Sequence, residues 1–68
     1  MNKFAVRLKE LRIEKSYSQS KLAQLLNVDQ RTISNWEKAV REPNFDMLIK
    51  ITLLFDVSAD YLLGITDQ

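Results

Sequence analysis

Three times along this chain the same local signal recurs: an apolar residue, then a serine or aspartate, then a second apolar residue four positions further on. The sets are Tyr17, Ser18 and Leu22; Val28, Asp29 and Ile33; and Val57, Ser58 and Leu62. The side-chain oxygen can accept a backbone N–H that the first turn of a helix leaves unpaired, and the flanking apolar pair closes over that turn as a staple. Asn44 offers a fourth start, and Pro43 before it blocks helix continuation from behind. So many starts within 68 residues leave room only for short helices.

The apolar spacing agrees, because no segment alternates strictly as a half-buried strand would. Phe4, Leu8 and Leu11 fall on one face with Ala5 and Arg12 alongside, opposite Lys3, Lys9, Glu10 and Glu14. Met47, Leu48, Ile51 and either Leu54 or Phe55 make the buried side of the fourth helix, and Trp36 and Phe45 read as packing residues. The predicted helices are 3–14, 18–25, 29–38, 44–55 and 58–63, with ends open by about two to four residues. Only Leu26, Asn27 and Val28 separate the second helix from the third, and asparagine tolerates a left-handed turn. Two helices joined this closely form a helix-turn-helix unit.

A chain this short buries only about 60% of its unfolded surface, so disulfides, a metal, tight packing or a partner must support it. Cysteine and histidine are absent, which removes disulfides and nearly every tetrahedral zinc site. The expectation is one all-α domain over residues 1–68, with no metal, no cofactor and no small-molecule ligand. No apolar run approaches the ~20 residues needed to cross a bilayer. The start MNKFAVRLKE alternates charge too often for a signal peptide, so a soluble cytoplasmic protein is expected. An enzyme is the weakest reading, since the serines lack an ordinary activating base and no close acidic pair shares a helix face.

Net charge is only +1, but it is unevenly spread. Up to Arg41 there are nine Lys/Arg against four Asp/Glu; from Glu42 onward Lys50 stands alone against five acids. One end is suited to phosphate, although a split of this size also arises by chance in a short chain.

On a helical wheel the stretch VDQRTISNWEK divides in two. Gln30, Arg31, Ser34, Asn35 and Lys38 share one arc; Ile33, Trp36, Glu37 and, at the border, Thr32 share the other. A solvated surface is the bland account of the polar arc. Such surfaces favour Glu, Lys and Ala, however, whereas serine and asparagine are poor helix formers. Gln or Asn can bond adenine N6 and N7 together, and Arg can bond guanine O6 and N7. The second helix of a helix-turn-helix enters the major groove with its first residues against the bases. Gln30, Arg31, Ser34 and Asn35 are therefore the expected base-reading residues.

The run from Phe4 to Gly64 resembles the repressor/Cro family of phage and bacterial helix-turn-helix regulators. The resemblance is carried by Ser18-Gln19, Leu22-Ala23, Ile33-Ser34, Trp36-Glu37, Pro43 and the closing Asp60-Tyr61-Leu62-Leu63-Gly64. It implies a five-helix, lambda-repressor-like domain that binds double-stranded operator DNA, usually as a two-fold dimer, and represses or sometimes activates transcription. It also implies that Gln19 touches a phosphate and braces Gln30, and that Lys38, Arg41 and the amides near Asn44 grip the backbone. Ser18 and Thr32 complete the expected phosphate-contacting set. Family members pair the arginine and glutamate that match Arg12 and Glu37. An inward-edge carboxylate needs such a partner; two unrelated surface charges are the alternative. Asn27 and Ala39 stand where the family usually has glycine. A left-handed alanine costs about 1 kcal/mol or more, so the third helix is expected to end differently.

Tyr61, Leu62, Leu63 and Ile65 cluster near the chain end, where a small domain can hardly cover them all, and are the expected homodimer interface. Two other functions stay open at this level: a protein-interaction module on the same fold, and an antitoxin that binds both its operator and a toxin. No sensing domain is expected after the fifth helix, and an inducer is therefore not expected.

Overall fold

Each of the four expected cap residues accepts a first-turn N–H. Ser18 accepts from Lys21, Asp29 from Arg31, Asn44 from Met47 and Ser58 from Tyr61, at 2.8–3.0 Å. The computed structural model describes residues 2–67, and among them there are five α-helices: α1 (Phe4–Glu14), α2 (Gln19–Leu26), α3 (Gln30–Glu37), α4 (Phe45–Phe55) and α5 (Ala59–Leu63). α1 starts differently: Lys3 makes no side-chain cap, and the Phe4 N–H donates to Asn2 Oδ1 at 3.0 Å.

The helix ends also follow one plan. Ser16, Asn27, Ala39, Asp56 and Gly64 all have positive φ. The N–H after each reaches back five residues, from Tyr17 to Arg12, Val28 to Ala23, Val40 to Asn35, Val57 to Thr52 and Ile65 to Asp60, at 2.8–3.1 Å. These bonds satisfy carbonyls that a helix end would otherwise leave open. The expectation that α3 ends differently is overturned. Ala39 takes φ 60°, and the Val40 and Arg41 N–H groups both donate to the Asn35 carbonyl. The turn thus keeps the glycine geometry with an alanine, at a strain of about 1–2 kcal/mol.

Tyr17, Val28 and Val57 each serve twice, closing one helix and stapling the next. A left-handed residue, an apolar residue and a cap therefore make the whole connection at Ser16-Tyr17-Ser18, Asn27-Val28-Asp29 and Asp56-Val57-Ser58.

Leu8, Leu22, Leu26, Ile33, Ile51 and Leu62 are fully buried, each worth about 1.5–3 kcal/mol relative to exposure. Phe4 and Trp36 meet edge-on at 6.3 Å between ring centres. α3 packs on both α1 and α2, and α5 lies against α1 and α4. Two expectations fail here. Phe45, expected to pack, is 84% exposed, because as the first residue of α4 it precedes the turn that reaches the core. Leu62, expected at a dimer interface, is 0% exposed; its staple with Val57 turns it inward. Phe55 rather than Leu54 is the buried residue at the end of α4.

Candidate nucleic-acid interface

The amphipathic division of α3 decides which of its sides meets solvent. Ile33 and Trp36 enter the core, and Glu37, at the edge, is held by Arg12. Arg12 Nε donates to Glu37 Oε2 at 2.7 Å and Nη2 to Oε1 at 3.1 Å, while Nη1 donates to the Tyr17 carbonyl at 2.9 Å. The two side chains are 12% and 4% exposed. Two parallel bonds in this geometry fix orientation as well as distance. α1 is thereby tied to the last turn of α3, and through Tyr17 to the turn before α2.

With the inner edge fixed, the other arc faces outward. Gln30 and Arg31 are exposed, and Ser34 and Asn35 are half-buried. Gln30, Arg31 and Ser34 line one open depression with Asp29 and Gln19, so the turn brings the first turns of α2 and α3 to a common surface. Bracing there differs from the expectation. Gln19 Nε2 donates to Glu37 Oε1 at 3.2 Å, and it is the Ser20 hydroxyl that donates to Gln30 Oε1, at 2.9 Å. The amide of Gln19 joins the Arg12–Glu37 pair because Glu37 presents a second acceptor lobe beside the start of α2.

The expected phosphate set comes from the starts of α2 and α4, from α3 and from the segment after it. Lys38 and Arg41 are exposed on either side of the Ala39 turn. Ser18 and Asn44 are exposed, with their side-chain oxygens engaged as caps; Thr32 is half-buried, its N–H bonded to the Asp29 carbonyl at 3.0 Å. Among the described residues the ion pairs are Arg7–Asp67 and Arg12–Glu37, so neither involves Lys21, Arg31, Lys38 or Arg41. Helix starts add partial positive charge at Gln19, Gln30 and Phe45.

Sequence reasoning missed three residues. Ser20 is one. Lys50 is another: its Nζ donates to the Leu26 carbonyl at 2.9 Å and closes the end of α2. Arg7, 8% exposed, is the third; it donates to the carbonyls of Tyr61 and Thr66 and to Asp67 Oδ1. Its spacing, three residues after Phe4 and four before Leu11, puts it on the apolar stripe of α1 and was the available signal.

Residues 8–62 match the family model described as helix-turn-helix. The chain is 45% identical over 58 residues to the HTH-type transcriptional regulator ImmR of Bacillus subtilis, covering 85% of this chain and 46% of that protein. It spans about half the length of the curated relatives it matches. Among solved structures, a transcriptional regulator from Listeria innocua superposes with a TM-score of 0.90 at 29% identity, covering 100% of this chain and 64% of that one. The P22 c2 repressor protein in complex with a synthetic operator gives 0.83 at 30% identity, covering 88% and 91%. No helix among the described residues is long and apolar enough to cross a membrane. Five helices with this capped turn, and relatives named as regulators rather than enzymes, lead to one assignment: the chain belongs to the helix-turn-helix family, in its repressor/Cro branch.

Proposed function

We propose that this chain is a sequence-specific binder of double-stranded DNA that acts in the cytoplasm as a transcriptional repressor, two copies occupying a palindromic operator. The observation that carries the reading is the outer arc of α3. Gln30, Arg31, Ser34 and Asn35 face outward while ion pair and core residues lock the opposite side. The P22 c2 repressor, of the same fold, is seen with an operator. In this reading Gln30, Arg31, Ser34 and Asn35 contact base edges, and Lys38, Arg41, Thr32, Ser18, Gln19 and the amides behind Asn44 meet phosphates.

For the second copy, Leu62 is withdrawn, and the apolar surface that supports a contact takes in Phe45 as well. Ile65 is 72% exposed, and Phe45 and Leu63 line a shared apolar cleft with Pro43 and Leu48.

Selection of bound fragments from random duplex DNA at two salt concentrations tests the reading. A motif repeated in two-fold fashion one turn apart is expected, with affinity falling in a log-log plot by about 0.9 per phosphate neutralised. A single unrepeated motif removes the dimer; binding that ignores salt points to a protein partner instead. Replacing Arg31 with Ala should cost about 1–3 kcal/mol on the selected sequence and relax one base position, whereas Lys38→Ala should weaken all duplexes alike. Equal losses on selected and random DNA for Arg31→Ala would make it a phosphate contact.

A further inference from the structure

Of the four side chains that cap helices by accepting a first-turn N–H, Ser18, Asn44 and Ser58 are neutral. The fourth, Asp29, is a carboxylate, and it stands at the start of the helix proposed to read bases. Serine and asparagine cap about as well as aspartate, so capping alone does not require the charge. The helix dipole favours an anion at such a start, yet α2 begins with none in its cap or first turn. Asp29 Oδ1 accepts the Arg31 N–H at 2.9 Å, and among the described residues Oδ2 enters neither a hydrogen bond nor an ion pair. The side chain is exposed and lines the same open depression as Gln19, Gln30, Arg31 and Ser34. The nearest carboxylates in sequence on the far side of α3 are engaged: Glu37 is buried against Arg12, and Glu42 accepts from Asn2 Nδ2 at 2.8 Å.

An ionised carboxylate accepts hydrogen bonds and cannot donate one. In the major groove the donors are the N4 amino group of cytosine and the N6 amino group of adenine, while guanine O6 and N7 and thymine O4 are acceptors. Adenine sets the N7 lone pair beside its amino group, which a negative oxygen meets unfavourably; cytosine has only a C–H there. Resting on the reading of α3 as the helix that enters the groove, we propose that Asp29 is a further base-reading residue: one oxygen stays on the Arg31 N–H while the other accepts from cytosine N4 and turns away guanine and thymine. The neutral caps of α2 and α4 fit the same division. In that reading both starts meet phosphate, which would repel a carboxylate.

The test compares the full chain with its Asp29→Ser, Asp29→Asn and Arg31→Ala variants on the selected duplex, with each of the four bases placed at every position in turn. Both replacements of Asp29 keep a cap, so their melting temperatures should stay close to that of the unaltered chain. One position should prefer cytosine in the unaltered chain, and Asp29→Ser should reduce that preference by about tenfold or more, the loss expected for a hydrogen bond to a charged group. Asp29→Asn should go further. With its oxygen on the Arg31 N–H it presents an amino group where the carboxylate presented an acceptor, so preference at that position should pass to guanine or thymine. Cytosine preference unchanged in both Asp29 variants, while Arg31→Ala relaxes its own position, would reduce Asp29 to a cap and leave the DNA reading standing. An Asp29-dependent position that prefers another base overturns the proposal, as does cytosine still favoured in Asp29→Asn. A gain of the same factor on selected and random duplexes, with base preference intact, would put the carboxylate beside phosphate and overturn it too. If the unaltered chain prefers no duplex, the underlying reading fails first.

Discussion

Arg7 and Arg12 leave the same helix equally buried, with side chains 10% and 12% exposed, yet their charges are met in different ways. Arg12 faces a carboxylate as buried as itself, Glu37 at 4%, and binds it through two nitrogens. Arg7 has a carboxylate partner that is 90% exposed, and its guanidinium lies 4.3 Å from the Tyr61 ring centre while donating to the Tyr61 and Thr66 carbonyls. In one case a counter-charge compensates for lost water; in the other, carbonyl dipoles and an aromatic face do so. The first arrangement fixes the helix proposed to read DNA, and the second fixes the turn after α5.

The largest expected effect comes from leaving one of the two charges of the first arrangement alone. Glu37→Gln should lower stability by about 3 kcal/mol, because Arg12 stays charged in a site that water barely enters. The combined Arg12→Met, Glu37→Leu variant should recover most of the loss, and thermal melts of both variants measure it. A Glu37→Gln melt indistinguishable from that of the parent would mean the pair is held at no cost and organises nothing. Next comes Arg7→Met, which removes the donor from two carbonyls without stranding a buried carboxylate. About 2 kcal/mol is expected, with faster amide exchange confined to residues after Tyr61 and no change in DNA preference. Exchange that quickens equally across α3 would erase the distinction between the two arginines. The smallest change should follow Asp67→Asn, within about 0.5 kcal/mol, since an exposed carboxylate is already well solvated. A loss equal to that of Arg7→Met would show that the ion pair, not the carbonyls, holds Arg7.

Helix starts were legible because their signal is local: a cap oxygen and a staple lie within six residues of each other, and Ser18, Asp29, Asn44 and Ser58 all cap as read. Helix ends were less so. Gly64 and Asn27 carry a sign of a left-handed turn, and Asn27 turns as read, but Ser16, Ala39 and Asp56 carry none. At Ala39 hydrogen bonding to Asn35 outweighed the residue's own preference, which inspection of one position cannot weigh. Hydropathy misplaced Phe45 and Leu62 in opposite directions, because whether an apolar side chain is covered depends on its place in the first turn or behind a staple. The Arg12–Glu37 pair was anticipated from the edge position of Glu37 together with the family resemblance. Choosing between Gln19 and Ser20 as the brace of Gln30 was beyond the sequence, since both begin α2 and only the packed arrangement shows where each hydrogen bond goes.

The three-residue joints leave no slack at either end of α2. Neither α2 nor α3 can swing without undoing a cap, a staple and a left-handed turn together, so the pair must approach any duplex as a rigid template. Accommodation to an imperfect site then falls to the nucleic acid, and sequences that bend or twist readily should be tolerated where stiff ones are refused.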